Sequence, residues 1–156
     1  MPRNPRQILI EDARIIFRNF SGAKGKFNAE GERSFHVVLD PDVAEQLKSD
    51  GWNVKVRDPR EDGDEPMYHL KVNVSYKGRP PQIITLGESN REVITERDVD
   101  LLDSLEIVKV DLTINPYDWE SATGSGTSAY LERMYATIEE DYLDRKYALP
   151  RRLEED

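Results

Sequence analysis

The segment 67–77, "MYHLKVNVSYK", carries the clearest structural signal in the chain. Its large apolar residues share one parity, and its polar and basic residues share the other. Because successive side chains of a strand point to opposite faces, this alternation predicts a long β-strand with one buried and one wet, basic face. The predicted core face carries Tyr68, Leu70, Val72, Val74 and Tyr76, and the wet face carries Met67, His69, Lys71, Asn73, Ser75 and Lys77.

The same alternation recurs in other segments and predicts six further strands. Segment 52–57 should pair with 67–77 as a hairpin across a charged loop, and a bulge is expected near Glu11 and Asp12, where the apolar parity changes. Residues 82–86 and 129–138 give two more strands. The remaining predicted core positions are Ala13, Ile15, Phe17, Phe35, Val37, Leu39, Trp52, Val54, Val56, Val108, Val110, Leu112 and Ile114.

Helix signals are few. Segment 40–51 has Asp40 as N-cap, Pro41 in the first turn and Gly51 as a stop, and segment 95–105 has Thr95 three residues before Asp98, as in a capping box. A short terminal helix is expected over 139–148. Seven strands with two small helices predict a mainly β fold, a closed or partly open barrel. We expect one domain over 1–148 and a flexible acidic tail over 149–156.

Composition limits the function classes. The chain has 156 residues and no cysteine, which excludes disulfides, thiol catalysis and cysteine-bound zinc. No apolar run approaches the ~18 residues of a membrane span, and no secretory signal is visible, so a cytoplasmic protein is expected.

Charge is distributed unevenly. The net charge is −9, which by itself argues against contact with nucleic-acid phosphates. Residues 1–39, however, contain seven Lys/Arg and four Asp/Glu, a net charge of +3, whereas residues 40–156 carry −12. This asymmetry favours an anion-binding region near the start of the chain.

The segment 17–35, "FRNFSGAKGKFNAEGERSF", combines four phenylalanines, four cations and three glycines. It is not a Walker loop, because Phe20 and Phe27 occupy positions that require glycine and Ser/Thr. Its Gly22-Ala-Lys-Gly25 matches the G-x-x-G of KH domains, but its flanks read as strands rather than helices. We therefore interpret it as two strands joined by a flexible, cationic loop.

No residue set indicates catalysis. The acidic loop around 58–65 misses the calcium-binding spacing of an EF-hand, and "GSGTS" (124–128) misses the nucleophile-elbow pattern. His36 and His69 lie on predicted wet faces without the spacing of a metal site. We expect no enzyme activity, no metal and no cofactor.

Outward cations and loop aromatics remain as the candidate site. Single-stranded nucleic acid is bound by cationic grooves with rings on which bases stack. The outward faces of three predicted strands carry cations and almost no acid, and four rings fall in predicted loops. The predicted nucleic-acid-binding residues are Arg14, Arg18, Phe20, Lys24, Lys26, Phe27, Arg33, Lys55, Arg57, Lys71, Lys77, Tyr117 and Trp119.

Four stretches resemble a family of small bacteriophage single-stranded DNA-binding proteins: "IEDARIIFRNFSGAKGKFNAEGERSFHVVLD" (10–40), "GWNVKV" (51–56), "EDGDEPMYHLKVNVSY" (61–76) and "INPYDWE" (114–120). The resemblance extends over about 8–142. It implies an oligonucleotide-binding (OB) fold, no enzymatic activity, and a role in protecting single-stranded DNA during phage replication or recombination. The expected partners are single-stranded DNA, phage or host replication and recombination proteins, and a second copy in a homodimer.

Two alternatives without nucleic-acid binding stay open. The acidic balance and exposed strand edges also fit a phage structural or interaction protein. The acidic residues 58–65 and 139–144 also fit an inhibitor that mimics DNA.

Overall fold

The computed structural model describes residues 6–26, 29–58, 63, 65–88 and 90–139. Within them it has nine strands, one α-helix and one 3₁₀ helix. The strands are β1 (Ile8–Ala13), β2 (Ile15–Asn19), β3 (Arg33–Leu39), β4 (Val54–Arg57), β5 (Met67–Val74), β6 (Gln82–Leu86), β7 (Arg91–Ile94), β8 (Ile107–Ser121) and β9 (Gly124–Ile138). The α-helix α1 spans Pro41–Ser49, and the 3₁₀ helix spans Glu96–Asp103.

The strands form one sheet in the order β1-β8-β9-β5-β3-β2. β4 pairs with β5, while β6 pairs with β9 and carries β7 on its other side. The sheet is not closed into a full barrel. Its two edge strands, β1 and β2, are separated in sequence by Arg14 alone. The Val38 N–H on β3 donates to the Arg14 carbonyl at 2.9 Å. The predicted mainly β, partly open barrel is confirmed, with two strands more than expected.

The predicted core face of β5 is confirmed. Leu70, Val72 and Val74 are buried, and Tyr68 and Tyr76 pack against the core from its edge. β5 also forms the predicted hairpin with β4. Its other neighbours are β3, which is antiparallel, and β9, which is parallel. β5 is therefore the strand that joins the two halves of the sheet.

The predicted helix α1 is confirmed between Asp40 and Gly51. Pro41 opens it, and Gly51 follows its end with φ +95°, a conformation that favours glycine. The Asp40 side chain makes no capping hydrogen bond. The second predicted helix forms as a 3₁₀ helix, and the predicted terminal helix and acidic tail lie outside the described residues, apart from Glu139.

Phe17 and Phe20 exchange the places that the alternation predicts. The bulge near Asp12 is confirmed, but a second one follows, because the pairing of β2 with β3 shifts between Ile16 and Asn19. Phe17 at this shift has φ +51° and is 56% exposed, whereas Phe20 has no exposed surface and stacks on Phe35. The prediction of Phe17 as core and of Phe20 as an accessible ring is wrong, since an extra residue reverses the facing of those that follow.

Three smaller corrections also concern which side chains are exposed. Val108 is exposed because the register of β8 shifts between Ile107 and Lys109, and Val56 is exposed near the end of β4. His69, predicted on the wet face, is only 8% exposed because neighbouring rings cover it.

The hairpin of β8 and β9 extends further than predicted. β8 continues to Ser121, so Tyr117 and Trp119 lie on a paired strand and not in a loop. Pro116 does not end the strand. Proline has no N–H to donate, so a strand tolerates it where no N–H is needed for a hydrogen bond to the neighbouring strand. None of the helices among the described residues has the length and hydropathy that crossing a membrane requires.

Candidate nucleic-acid interface

Cross-strand pairing brings the outward residues of four strands into one line. Lys55 on β4 pairs with His69 on β5, His36 on β3 pairs with Lys71, and Asn73 pairs with Tyr130 on β9. Directly paired residues project from the same face of a sheet. We call this line, extended through Tyr117 and Trp119 on β8, the outer track; it comprises Lys55, His69, His36, Lys71, Asn73, Tyr130, Tyr117 and Trp119.

The cationic end of the outer track surrounds a histidine pair. The Nδ1 atoms of His36 and His69 lie 2.8 Å apart, so one Nδ1 donates a hydrogen bond and the other accepts it. Burial, together with the charges of His69, Lys71 and Lys55, lowers the pKa of His36 to about 4. Burial, Lys55 and Arg57 also lower the pKa of His69. Among the described residues, the charges that act on the pair are all positive, which makes this end attractive to an anion.

The aromatic end of the outer track is formed on the long hairpin. The Tyr117 and Tyr130 rings meet edge to face, with centroids 5.8 Å apart, and Tyr117 is 59% exposed. Trp119 lies over its cross-strand partner Gly126, where an added Cβ would come 2.8 Å from the indole Cζ2. The absence of a side chain at Gly126 therefore lets the indole lie flat on the hairpin.

A groove beside the Tyr117 and Tyr130 rings passes over the end of β5. It consists of two open cavities of about 410 and 430 Å³ that share Ser75, Lys77 and Tyr130. The first cavity reaches Arg33 and Asn73. The second is lined by Lys77, Arg79, Asn115, Tyr117 and Glu132, among others. The first cavity also contains Glu32 and Glu96, so the groove has both cations and acids in its lining. It is wide and polar enough to take a flexible chain that bears rings.

Arg18 and Arg33 serve the fold, contrary to the prediction that they are outward contacts. The Arg18 guanidinium donates to the carbonyls of Leu102 and Leu105 at 2.7 and 2.6 Å. Arg33 donates to the Phe20 carbonyl at 3.0 Å and stacks over the Tyr76 ring.

The other predicted cations separate into two groups. Lys55, Arg57, Lys71 and Lys77 lie along or beside the outer track. Arg14 instead lines a separate cavity with Glu11, Asp12 and Asp40, where acids surround it. Lys24 and Lys26 are exposed in the loop between β2 and β3, and Phe27 lies outside the described residues.

Two aromatic residues on or beside the track are absent from the predicted site residues. Tyr130 lies in a segment predicted only as a strand, and the pairing with Asn73 that exposes it on the track is non-local. The alternation assigns Phe17 to the core, although the spacing of Phe17 and Phe20 shows that both cannot share one face of an unbroken strand.

Comparison with known proteins gives one family. The family model described as "Putative phage ssDNA-binding domain" matches residues 2–156. Curated protein sequences contain no match.

Three solved structures of the single-stranded DNA-binding protein from bacteriophage Enc34 are similar in fold. A C-terminal truncation has 12% identity and a TM-score of 0.55 over 86% of this chain and 87% of that one. The complex with single-stranded DNA has 13% identity and a TM-score of 0.55 over 86% and 88%. A third structure has 12% identity and a TM-score of 0.53 over 96% and 90%.

Proposed function

Because the chain belongs to the phage single-stranded DNA-binding domain family, we propose that it binds single-stranded DNA along the outer track without sequence preference. The family and its structural relatives are single-stranded DNA-binding proteins, which are not enzymes. The observation that supports this site best is the register, which aligns the cations of β4 and β5 with the rings of β8 and β9. Bound in this way, the protein protects exposed strands during phage replication or recombination.

The two ends of the track have complementary roles. Lys55, Lys71 and Lys77 neutralise phosphates, and the exposed rings of Tyr117 and Tyr130 stack on bases. Stacking on an aromatic side chain contributes ~1–3 kcal/mol per base and tolerates any sequence, because every base has a π-face. Neither contact reads the edge of a base, which is why we propose binding without sequence preference.

Because the net charge of the chain is −9, we expect DNA to bind only at the outer track, where cations collect. In the described residues no ion pair involves Lys55, Lys71 or Lys77, so these cations can exchange counterions for phosphates. DNA binding should therefore weaken steeply as salt increases. For single strands, the slope of log K against log salt becomes more negative by ~0.7 for each phosphate that a lysine neutralises.

A titration with oligo-dT at low salt tests the proposal. Trp52 is buried, so any quenching of tryptophan fluorescence reports mainly on the more exposed Trp119 at the track. Tyr117→Ala and Tyr130→Ala should each weaken binding about 5- to 150-fold. Tyr135→Ala is the matched control, because Tyr135 lies on the same strand β9 but away from the track. If the unaltered protein shows no binding at low salt, the proposed function is wrong.

A salt series separates the cationic contacts. Lys71→Met and Lys77→Met should each reduce the slope of log K against log salt by ~0.7. Lys48→Met removes the same charge from the last turn of α1 and should leave the slope unchanged. An equal effect of all three variants would show a general charge effect in place of a track.

The loop between β2 and β3 extends the proposed site. Lys24 and Lys26 are exposed there, and Phe27 follows them in the sequence. We expect Lys24→Glu with Lys26→Glu to weaken DNA binding while the melting temperature stays the same. A fall in melting temperature would instead assign the two lysines to folding.

We also propose where the protein acts and which proteins it meets. A phage protein of this family works where phage DNA is copied, in the cytoplasm of the host cell, and meets phage or host replication proteins there. A gel-shift series with single-stranded DNA, duplex DNA and RNA, together with light scattering, tests the preference for DNA and the expected homodimer. Assembly that is indifferent to DNA would favour a structural protein.

A further inference from the structure

We infer that Phe17, supported by His36 and His69, forms a second base-stacking site beside the outer track. It would take an unpaired base of single-stranded DNA, distinct from the bases on Tyr117 and Tyr130. This inference rests on the proposed function, and it adds a residue that the sequence pattern assigns to the core.

An unfavourable backbone conformation places the Phe17 side chain on the surface. Ile16 pairs with His36 and Asn19 pairs with Ser34, so two residues of β2, Phe17 and Arg18, face one residue of β3. Phe17 has φ +51°, a region that bulky residues rarely adopt and that glycine usually fills at such a bulge. Bulges of this kind re-aim a side chain, and strained residues cluster at binding sites.

The exposed ring is held in a fixed position. Phe17 meets the His36 ring edge to face with centroids 5.3 Å apart, and meets the His69 ring with centroids 5.7 Å apart. The two histidines are themselves joined by their hydrogen bond of 2.8 Å. A ring supported from two sides loses little freedom when a base stacks on it, which favours affinity. More than half of the Phe17 surface nevertheless stays open.

The charges around this ring suit a nucleotide. Lys55 and Lys71 lie close enough to act on His36, and Lys55 and Arg57 act on His69. Within the described part of the chain, no acid is among the charges that act on either histidine. A base on Phe17 would therefore have its phosphate beside cations, as in the groove, where Lys77 and Arg79 lie near Tyr117.

The spacing allows one strand of DNA to use both sites. From Tyr130 the ladder leads through Asn73 and Ser34 to Asn19, two residues from Phe17. Three strand spacings and two residues along β2 place the sites roughly 16 Å apart. One OB fold covers ~4–16 nucleotides, so both sites fit within one footprint.

The first test compares substitutions at Phe17. Phe17→Leu keeps apolar bulk and removes the ring, and should weaken oligo-dT binding about 5- to 150-fold. Phe17→Tyr keeps the ring and should bind like the unaltered protein. The control is Val93→Ala, which trims an exposed apolar residue of β7 and should change nothing. Unchanged binding by Phe17→Leu, while Tyr117→Ala and Tyr130→Ala weaken it, would overturn this inference and leave the proposed function intact.

The second test needs no variant. Ultraviolet irradiation of the complex with oligo-dT crosslinks thymine to stacked rings, and trypsin then releases residues 15–18, "IIFR", in which Phe17 is the sole aromatic residue. We expect crosslinked thymine in this peptide and none in residues 19–24, "NFSGAK", because Phe20 is fully buried. Crosslinks confined to peptides with Tyr117 or Tyr130 would overturn the inference. A protein that binds no oligo-dT would instead refute the proposed function.

Discussion

Replacement of Arg18 by methionine should destabilise the fold without weakening contact with DNA phosphates. The Arg18 guanidinium makes two hydrogen bonds, of 2.7 Å to the Leu102 carbonyl and 2.6 Å to the Leu105 carbonyl. A hydrogen bond to a charged group contributes ~1.5–3 kcal/mol, and water can replace part of it at this half-buried site. We therefore expect Arg18→Met to lower the free energy of unfolding by about 2–4 kcal/mol.

Urea unfolding followed by tryptophan fluorescence measures this loss. A small protein has an m-value of ~1–3 kcal/mol per M in urea, and at about 2 kcal/mol per M the midpoint should fall by roughly 1–2 M. The matched control is Arg14→Met, which removes the same charge from an exposed residue four positions earlier. Its effect should stay within about 0.5 kcal/mol, as is usual at a surface.

The salt dependence of DNA binding decides between the two roles of Arg18. If Arg18 only holds the 3₁₀ helix in place, Arg18→Met should change the slope of log K against log salt no more than Arg14→Met does. A phosphate contact would reduce it by ~0.7. An unchanged urea midpoint with a reduced slope would refute the assignment of Arg18 to the fold.

Three further outcomes can be measured with the same assays. Gly126→Val should displace the Trp119 indole, because a Cβ there comes 2.8 Å from Cζ2, and should reduce both oligo-dT affinity and the quenching of Trp119. Asp103→Ala removes the acceptor of the Phe20 and Ser21 backbone N–H groups, at 2.7 and 2.9 Å, and should lower stability by about 2–4 kcal/mol in urea. The pKa of His36 is about 4 in the folded protein, below its ordinary value, so between these two values the unfolded chain binds a proton that the folded protein does not. The free energy of unfolding should therefore fall as the pH drops from 6.5 to 4. His36→Gln should reduce this pH dependence of the urea midpoint.

Some features were predictable because they depend on neighbours in sequence. The parity of Leu70, Val72 and Val74 required only the period of a strand, and their burial is confirmed. The helix from Pro41 to Ser49 followed from signals at its two ends. The cationic character of Lys55 and Lys71 on an outward face followed from the same alternation.

The errors occur where register is not local. The alternation reverses the positions of Phe17 and Phe20 because a bulge in β2 depends on how that strand pairs with β3. It places Tyr117 and Trp119 in a loop because the length of β8 is set by its pairing with β9. Arg18 looks like an outward cation in the sequence because its acceptors lie more than eighty residues away.

The sequence by itself determined most of the segments that become strands, most of the apolar faces and where cations collect. These properties depend on the two-residue period of a strand, which any short segment displays. Only the tertiary structure decided which outward residues meet, because Asn73 reaches Tyr130 through a parallel pairing across more than fifty residues. The candidate site is a property of that pairing, since a shift of one residue would turn its side chains to the other face of the sheet.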